Sequence, residues 1–280
     1  MIKIDSHQHY WNPARGDYGW MPRDNEILSR RYSPADLTPQ LDAVGVDKTI
    51  IVQAAPSIEE SEYLLGIADA SESVAGVVGW IDFEQPEHLP HLKRLADHPK
   101  FLGVRPMIQD IDDVDWMLRD DVEWGYRAVS ELGLSFDALG HPRHLRNFHT
   151  ILKRFPDLKV VMDHCMKPTI ASESTSSFDA WRNGMAKIAA DTGAYCKLSG
   201  LVTEAGDDIS ADALRPYSDH ILNVFGPDRV MWGSDWPVCR LKCEYDEWHK
   251  TAQTLTQHLD DGAKARIFGG TAVEFYDLNV

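Results

Sequence analysis

Ile2-Lys3-Ile4-Asp5-Ser6-His7-Gln8-His9-Tyr10 carries a short apolar alternation that ends in two histidines one residue apart. On an extended strand, side chains repeat every two residues, so His7 and His9 project to the same side. Two imidazoles at the C-terminal tip of a first strand can grip a metal ion or polarise a substrate oxygen. Alone, the pair reads equally well as surface histidines near a frayed end. The rest of the chain decides between the two.

Outward from this segment, apolar runs recur at intervals of about 25 to 40 residues, separated by amphipathic stretches, which is the rhythm of a parallel sheet. Strands are predicted at 2–7, 49–53, 74–82, 101–105, 134–139, 158–164, 194–199 and 229–234. Between them, helices are predicted at 34–45 (opened by Ser33-Pro34), 58–70, 86–96, 112–132 in two pieces, 142–154, 178–191 and 211–225. The chain closes with helices at 244–257, 260–267 and 271–276. Residues 10–31, with Trp11, Tyr18 and Trp20, form a long aromatic loop after the first strand, and its tryptophans favour a packed lid. No linker, repeat or low-complexity tract interrupts the series. The expectation is an α/β protein, one (β/α)8 TIM-type barrel over 1–280. A doubly wound open sheet is the rival, but no glycine-rich phosphate fingerprint follows the first strand.

Composition agrees with a globular enzyme-sized domain: 280 residues, 43% hydrophobic and 26% charged. The formal net charge of −16 and the lack of a basic stripe argue against nucleic acid as a partner. No run is apolar enough to span a membrane, and Lys3 and Asp5 stand where a secretory leader would be apolar. Cys165, Cys196, Cys239 and Cys243 form no disulfide framework and read as free thiols of a cytoplasmic protein. Cys239 and Cys243 lie one helical turn apart, but two thiolates alone seldom make a zinc site.

Polar residues at the strand ends of a barrel face one mouth. Here they are His7 and His9, Asp82, Arg105, His164 and Asp235. Each has a plain structural alternative: Asp82 as a helix cap, Arg105 in an ion pair with Asp163, His164 as a core histidine, Asp235 as the cap of the turn at Trp236-Pro237. Their clustering is what points to chemistry. Trp11, Trp80 and Trp236 fall near strand ends, where aromatic faces could stack on a sugar ring; Trp124, Trp181 and Trp248 fall in helices.

His7-Gln-His9, Asp163-His164 and Gly233-Ser-Asp235-Trp-Pro resemble the amidohydrolase superfamily. Gly103-Val-Arg105-Pro-Met-Ile-Gln-Asp110, Cys196-Lys-Leu-Ser-Gly-Leu-Val-Thr-Glu204, Arg215-Pro-Tyr217 and Gly226-Pro-Asp-Arg-Val-Met-Trp-Gly-Ser-Asp-Trp-Pro-Val-Cys239 resemble its sugar-lactonase branch, the L-fuconolactonase type. The resemblance runs from first strand to last helix. It implies hydrolysis of an aldonolactone like L-fuconolactone to the aldonate, a small-molecule sugar lactone being the partner, with homo-oligomerisation left open. Asp235 is the expected general base, its pKa raised by burial between Trp232 and Trp236. His164 and Arg105 are the other expected catalytic residues. His7, His9 and Asp235 would hold one divalent metal ion, Zn²⁺ before others, or else His7 and His9 contact substrate and no metal is used. Trp11, Trp80, Asp82, Lys167 and Trp236 are the remaining expected substrate contacts.

Two departures from the superfamily pattern bear on the metal. Arg105 stands where many members carry a bridging lysine or glutamate, and residues 134–139 lack the usual strand-five histidine, so a binuclear centre is not expected. A third departure is Met166, bulkier than the glycine usual before Lys167, which would alter the pocket if Lys167 touches substrate. The alternative reading is a metal-dependent decarboxylase of the same superfamily acting on an aromatic carboxylic acid. A barrel serving only as a scaffold would leave the cluster of His7, His9, Arg105, His164 and Asp235 accidental.

Overall fold

The computed structural model describes residues 2–172 and 174–280. Eight strands, Ile4–Gln8 (β1), Lys48–Val52 (β2), Val74–Gly79 (β3), Phe101–Val104 (β4), Ser135–Ala138 (β5), Lys159–Met162 (β6), Tyr195–Leu198 (β7) and Val230–Trp232 (β8), pair in sequence order, every pair parallel. The barrel closes where β8 returns to β1. There Ser6 Oγ donates to the Trp232 carbonyl at 2.7 Å, Asp235 N to His7 O at 2.7 Å and His9 N to Trp236 O at 2.7 Å. The expected (β/α)8 barrel is therefore the fold.

Packing divides into two layers. Ile4, Ile50, Val52, Val78, Val161 and Met231 fill the lower barrel interior, and Phe275, Tyr276 and Leu278 plug its bottom. The larger apolar cluster lies between strands and helices and reaches the aromatic loop. That loop is a packed lid, as expected: the indole N–H of Trp11 donates to Leu28 O and Arg30 O, and that of Trp20 to Ala54 O at 2.6 Å.

Differences from the sequence reading concentrate at element ends. Most strands stop one to three residues short of their apolar runs, because Arg105, Asp163, Ser199 and the residues after Trp232 leave the ladder to build the mouth. The 112–132 stretch holds two single turns, Trp116–Leu118 and Asp120–Val122, and one helix, Glu123–Glu131. A four-residue helix, Leu201–Glu204, follows β7 without an apolar period to announce it. The helices expected at 260–267 and 271–276 are Asp261–Ala265 and Thr271–Phe275, joined by a wide turn, Arg266–Gly270, in which a Cβ on Gly269 would meet the Ile2 carbonyl.

One buried acid couples a helix start to the lid. Ser57 caps the helix Ile58–Ala70, its hydroxyl accepting from Glu60 N at 3.1 Å. The fully buried Glu60 carboxylate then accepts from Ala54 N at 3.0 Å and Ala55 N at 2.8 Å, fixing the carbonyl that holds Trp20. Burial raises its pKa to about 7, against the lowering effect of those two hydrogen bonds. A carboxyl whose pKa is higher folded than unfolded binds more protons in the native state, so its contribution is full below pH 4.5 and is lost as pH rises through 7. Wild-type stability is expected to include a fall of about 3 kcal/mol over that window from this group. Urea unfolding of Glu60→Gln should lack that slope; an unchanged slope would assign it elsewhere.

Candidate active site

Ile4 faces the barrel interior, and strict alternation would turn His7 and His9 away from it. The register of β1 against β2 shifts between Asp5 and Gln8, and this bulge returns both histidines to the interior. The bulge is pinned by Asp5, whose buried carboxylate accepts from His7 N at 3.1 Å, Ser234 N at 2.9 Å and Tyr245 Oη at 3.1 Å. Gly233 lets the seam close, since a Cβ there would lie 2.7 Å from that of His7. The same seam turns the chain at Asp235 (φ 56°), which brings its carboxylate against three imidazoles.

Asp235 Oδ1 lies 3.2 Å from His9 Nε2 and 3.8 Å from both His7 Nε2 and His164 Nε2. His9 Nδ1 is 2.7 Å from the Val52 carbonyl, so it carries the proton and presents its Nε2 lone pair to the carboxylate. His164 Nδ1 meets Ser199 Oγ at 2.9 Å. It stands on a left-handed run, His164 to Lys167 (φ 47° to 60°), with Gly200 packed against its ring where a Cβ would come within 2.7 Å.

Beneath lies a buried charge network. Lys197 Nζ is 2.5 Å from Asp137 Oδ2, 3.1 Å from Asp163 Oδ1 and 3.1 Å from His7 Nδ1. Tyr276 Oη donates to Asp137 at 2.8 Å. Arg105 approaches Asp163 at 3.5 Å and His7 Nε2 at 3.3 Å, and donates to the Gln53 carbonyl. Two cations thus face two carboxylates, and Asp235 is left as the unbalanced anion.

Burial and the positive charge of Lys197 hold His7 well below its ordinary pKa, Asp163 opposing them. Burial lowers His9 and takes His164 to about 4. For Asp235, burial acts upward as expected, but His164, His9 and His7 together outweigh it and hold the carboxyl below the ordinary range. The expected raised pKa is corrected accordingly. Trp232 and Trp236 do not sandwich this carboxylate: Trp232 packs on Tyr245, His249 and Phe268.

A cavity of about 220 Å³ opens above these groups, with Trp11, His9, Arg105, His164, Lys167 and Asp235 on its wall. The structure gathers these six expected residues, with His7 fully buried directly behind. It does not bring Trp236 there; that ring is buried against Tyr10 and Tyr32 because the chain reverses at Asp235. Trp80 and Asp82 lie beyond the end of β3 and line a neighbouring cavity. Asp82 accepts from Glu84 N at 2.9 Å and Gln85 Nε2 at 2.7 Å and so closes a turn, while Gln85 takes the cap position of the following turn Pro86–His88 that competed for it. Met166 is fully buried and absent from the cavity wall. At φ 60°, its position answers to backbone conformation, where glycine is the unstrained choice.

Lys197, Asp137 and Ser199 were given no role by the sequence reading, although charged residues inside short apolar strands are a usable signal. Trp20, Met107 and Asp110 also border the cavity, and no spacing rule singles them out.

The donor set fits one metal ion. His7, His9 and Asp235 offer ligand atoms within 4.8 Å of one another, all buried. A neutral His9 faces Asp235 lone pair to lone pair at 3.2 Å, a contact that a shared proton or cation would relieve.

The amidohydrolase family model matches residues 4–278. The chain belongs to that family. It is 40% identical over 282 residues to an L-fucono-1,5-lactonase of Burkholderia ambifaria, covering 99% of this chain and 96% of that protein. An L-fucono-1,5-lactonase of Burkholderia multivorans is 34% identical over 99% of this chain and 96% of its own length. A solved amidohydrolase from Burkholderia multivorans with bound zinc superposes with a TM-score of 0.92 at 33% identity, covering 99% of this chain and all of that one. Among the described helices, none is long and apolar enough to cross a membrane.

Proposed function

We propose that this protein hydrolyses a sugar-acid lactone, an aldonolactone of the L-fucono-1,5-lactone kind, to the open aldonate. The observation that carries the reading is the lone anionic Asp235 set among His7, His9 and His164 on the wall of a cavity small enough for one sugar ring. The lactonase identity of relatives that cover nearly the whole chain supports the substrate class.

A lactone is an activated ester, and no covalent nucleophile is needed. Water held at the Asp235 carboxylate gives up a proton as its oxygen bonds to the lactone carbonyl carbon. Arg105, held by the Gln53 carbonyl and Asp163, faces the growing negative charge on the carbonyl oxygen. The ring C–O bond then breaks, and Asp235 returns the proton to the departing ring oxygen. Lys167 and Trp11 meet the hydroxylated face of the ring, and the cationic side chains receive the new carboxylate. His7, His9 and Asp235 would hold one divalent ion, Zn²⁺ by preference for imidazole and carboxylate, which when bound supplies Lewis acidity at the carbonyl.

Proton release from L-fucono-, L-rhamnono-, L-galactono- and D-arabinonolactones, above the spontaneous rate, is the expected result with purified protein. Silence on all four, with carbon dioxide released from an aromatic carboxylic acid, would replace the reading with a decarboxylase. Zinc affinity measured by equilibrium dialysis should fall at least about tenfold in His9→Gln. Equal zinc uptake by the variant and the wild type would move the ion elsewhere.

A further inference from the structure

The catalytic cavity of about 220 Å³ and a neighbouring one of about 480 Å³ share three wall residues, Trp20, Met107 and Asp110. A residue that lines two adjacent cavities stands between them. Trp20 is the largest of the three, and at 39% exposure it is one of the few large apolar side chains left open among the described residues. Its position is fixed from two sides. The indole N–H donates to the Ala54 carbonyl at 2.6 Å, and the ring meets Trp11 edge to face with centroids 5.7 Å apart. Both supports are themselves held: Glu60 accepts from Ala54 N, and the buried Trp11 is tied to Leu28 O and Arg30 O.

Met107 changes rotamer at little cost and the Asp110 side chain is exposed, so neither makes a fixed barrier. The clamped indole does. On its catalytic side there is room for one sugar ring next to Asp235. The larger space beyond, walled by Trp80, Ile81, Phe83 and Trp116, is withheld from a substrate bound there. A substituent that must push into a rigid, packed wall costs binding energy, and such repulsion separates substrates as well as an attractive contact does.

We infer that Trp20 is a specificity-determining wall of the active site, limiting substrates to single-ring lactones that carry no bulky group on the side facing it. The inference rests on the proposed lactonase activity and adds a size limit to it. Trp20 acts by exclusion and takes no part in the proton transfers at Asp235.

The test compares a lactone the wild type hydrolyses with its mono-O-benzyl ethers, one for each ring hydroxyl. For at least one ether, wild-type kcat/KM is expected to fall at least about 100-fold below the parent, and Trp20→Ala to narrow that ratio at least about tenfold. Trp20→Phe keeps a ring in the wall and should keep the wild-type ratio. Narrowing by less than about tenfold in Trp20→Ala for every ether would overturn the wall. So would a Trp20→Phe variant as permissive as Trp20→Ala, because the effect would then come from a loosened lid. If wild type hydrolyses no parent lactone, the lactonase reading fails by itself. A crystal structure of Trp20→Ala then decides the wall: one continuous cavity supports it, and two cavities still separated overturn it.

Discussion

Asp235→Asn is expected to lower kcat on an aldonolactone by about 10² to 10⁴, the range associated with removing a general base. The amide keeps the size and one acceptor oxygen of the carboxylate, so its contacts with His9, His7 and His164 are retained in shape. Thermal unfolding should therefore change little, and the loss should appear in kcat ahead of KM. A pH profile adds a second readout. The surrounding imidazoles hold Asp235 below the ordinary carboxylate range, and burial takes His164 to about 4. Both groups keep their working forms, anionic and neutral, from pH 8 down to about 5, so wild-type kcat/KM should be flat there. Near-wild-type turnover by Asp235→Asn would remove it from the chemistry.

Lys197→Met is expected to produce the largest loss of stability. The ammonium is fully buried between Asp137 and Asp163, and its removal leaves two buried carboxylates facing one cation, Arg105, which reaches only Asp163. Breaking a buried ion pair from one side costs about 3 to 5 kcal/mol, which for a chain of this size lowers Tm by about 10 °C. The Asp137 carboxyl, left without a cation, would have a raised folded-state pKa, so the deficit should shrink as pH falls and grow as pH rises. Adding Asp137→Asn to Lys197→Met should recover part of the loss in Tm. A single variant with wild-type Tm at pH 8 would mean that the network contributes no net stability.

The repeat of apolar runs was enough to read the barrel, because eight buried parallel strands each need an uninterrupted apolar stretch whatever their partners. The strand-end residues Arg105, His164 and Asp235 were legible for a related reason: a polar residue that ends such a run falls at the mouth. The orientation of His7 and His9 was not legible in this way. Their facing depends on a bulge held by Asp5, and Asp5 acts on Ser234 and Tyr245, more than 220 residues away in sequence. Trp80 and Trp236 show the opposite failure. Both follow strand ends, but one chain segment turns over the rim and the other reverses at Asp235, so neither ring reaches the catalytic cavity. Lys197 escaped because a lysine in a strand is usually a solvated edge residue. The carboxylates of Asp137 in β5 and of Asp163 just after β6 make its interior position tolerable.

The most direct test of the account is a crystal structure with an inert lactam analogue of the sugar lactone. The lactam carbonyl is expected in the cavity formed by His9, Arg105, His164, Lys167 and Asp235, with the carbonyl carbon next to the Asp235 carboxylate. A lactam bound elsewhere, with its carbonyl turned away from Asp235 and Arg105, would contradict the account.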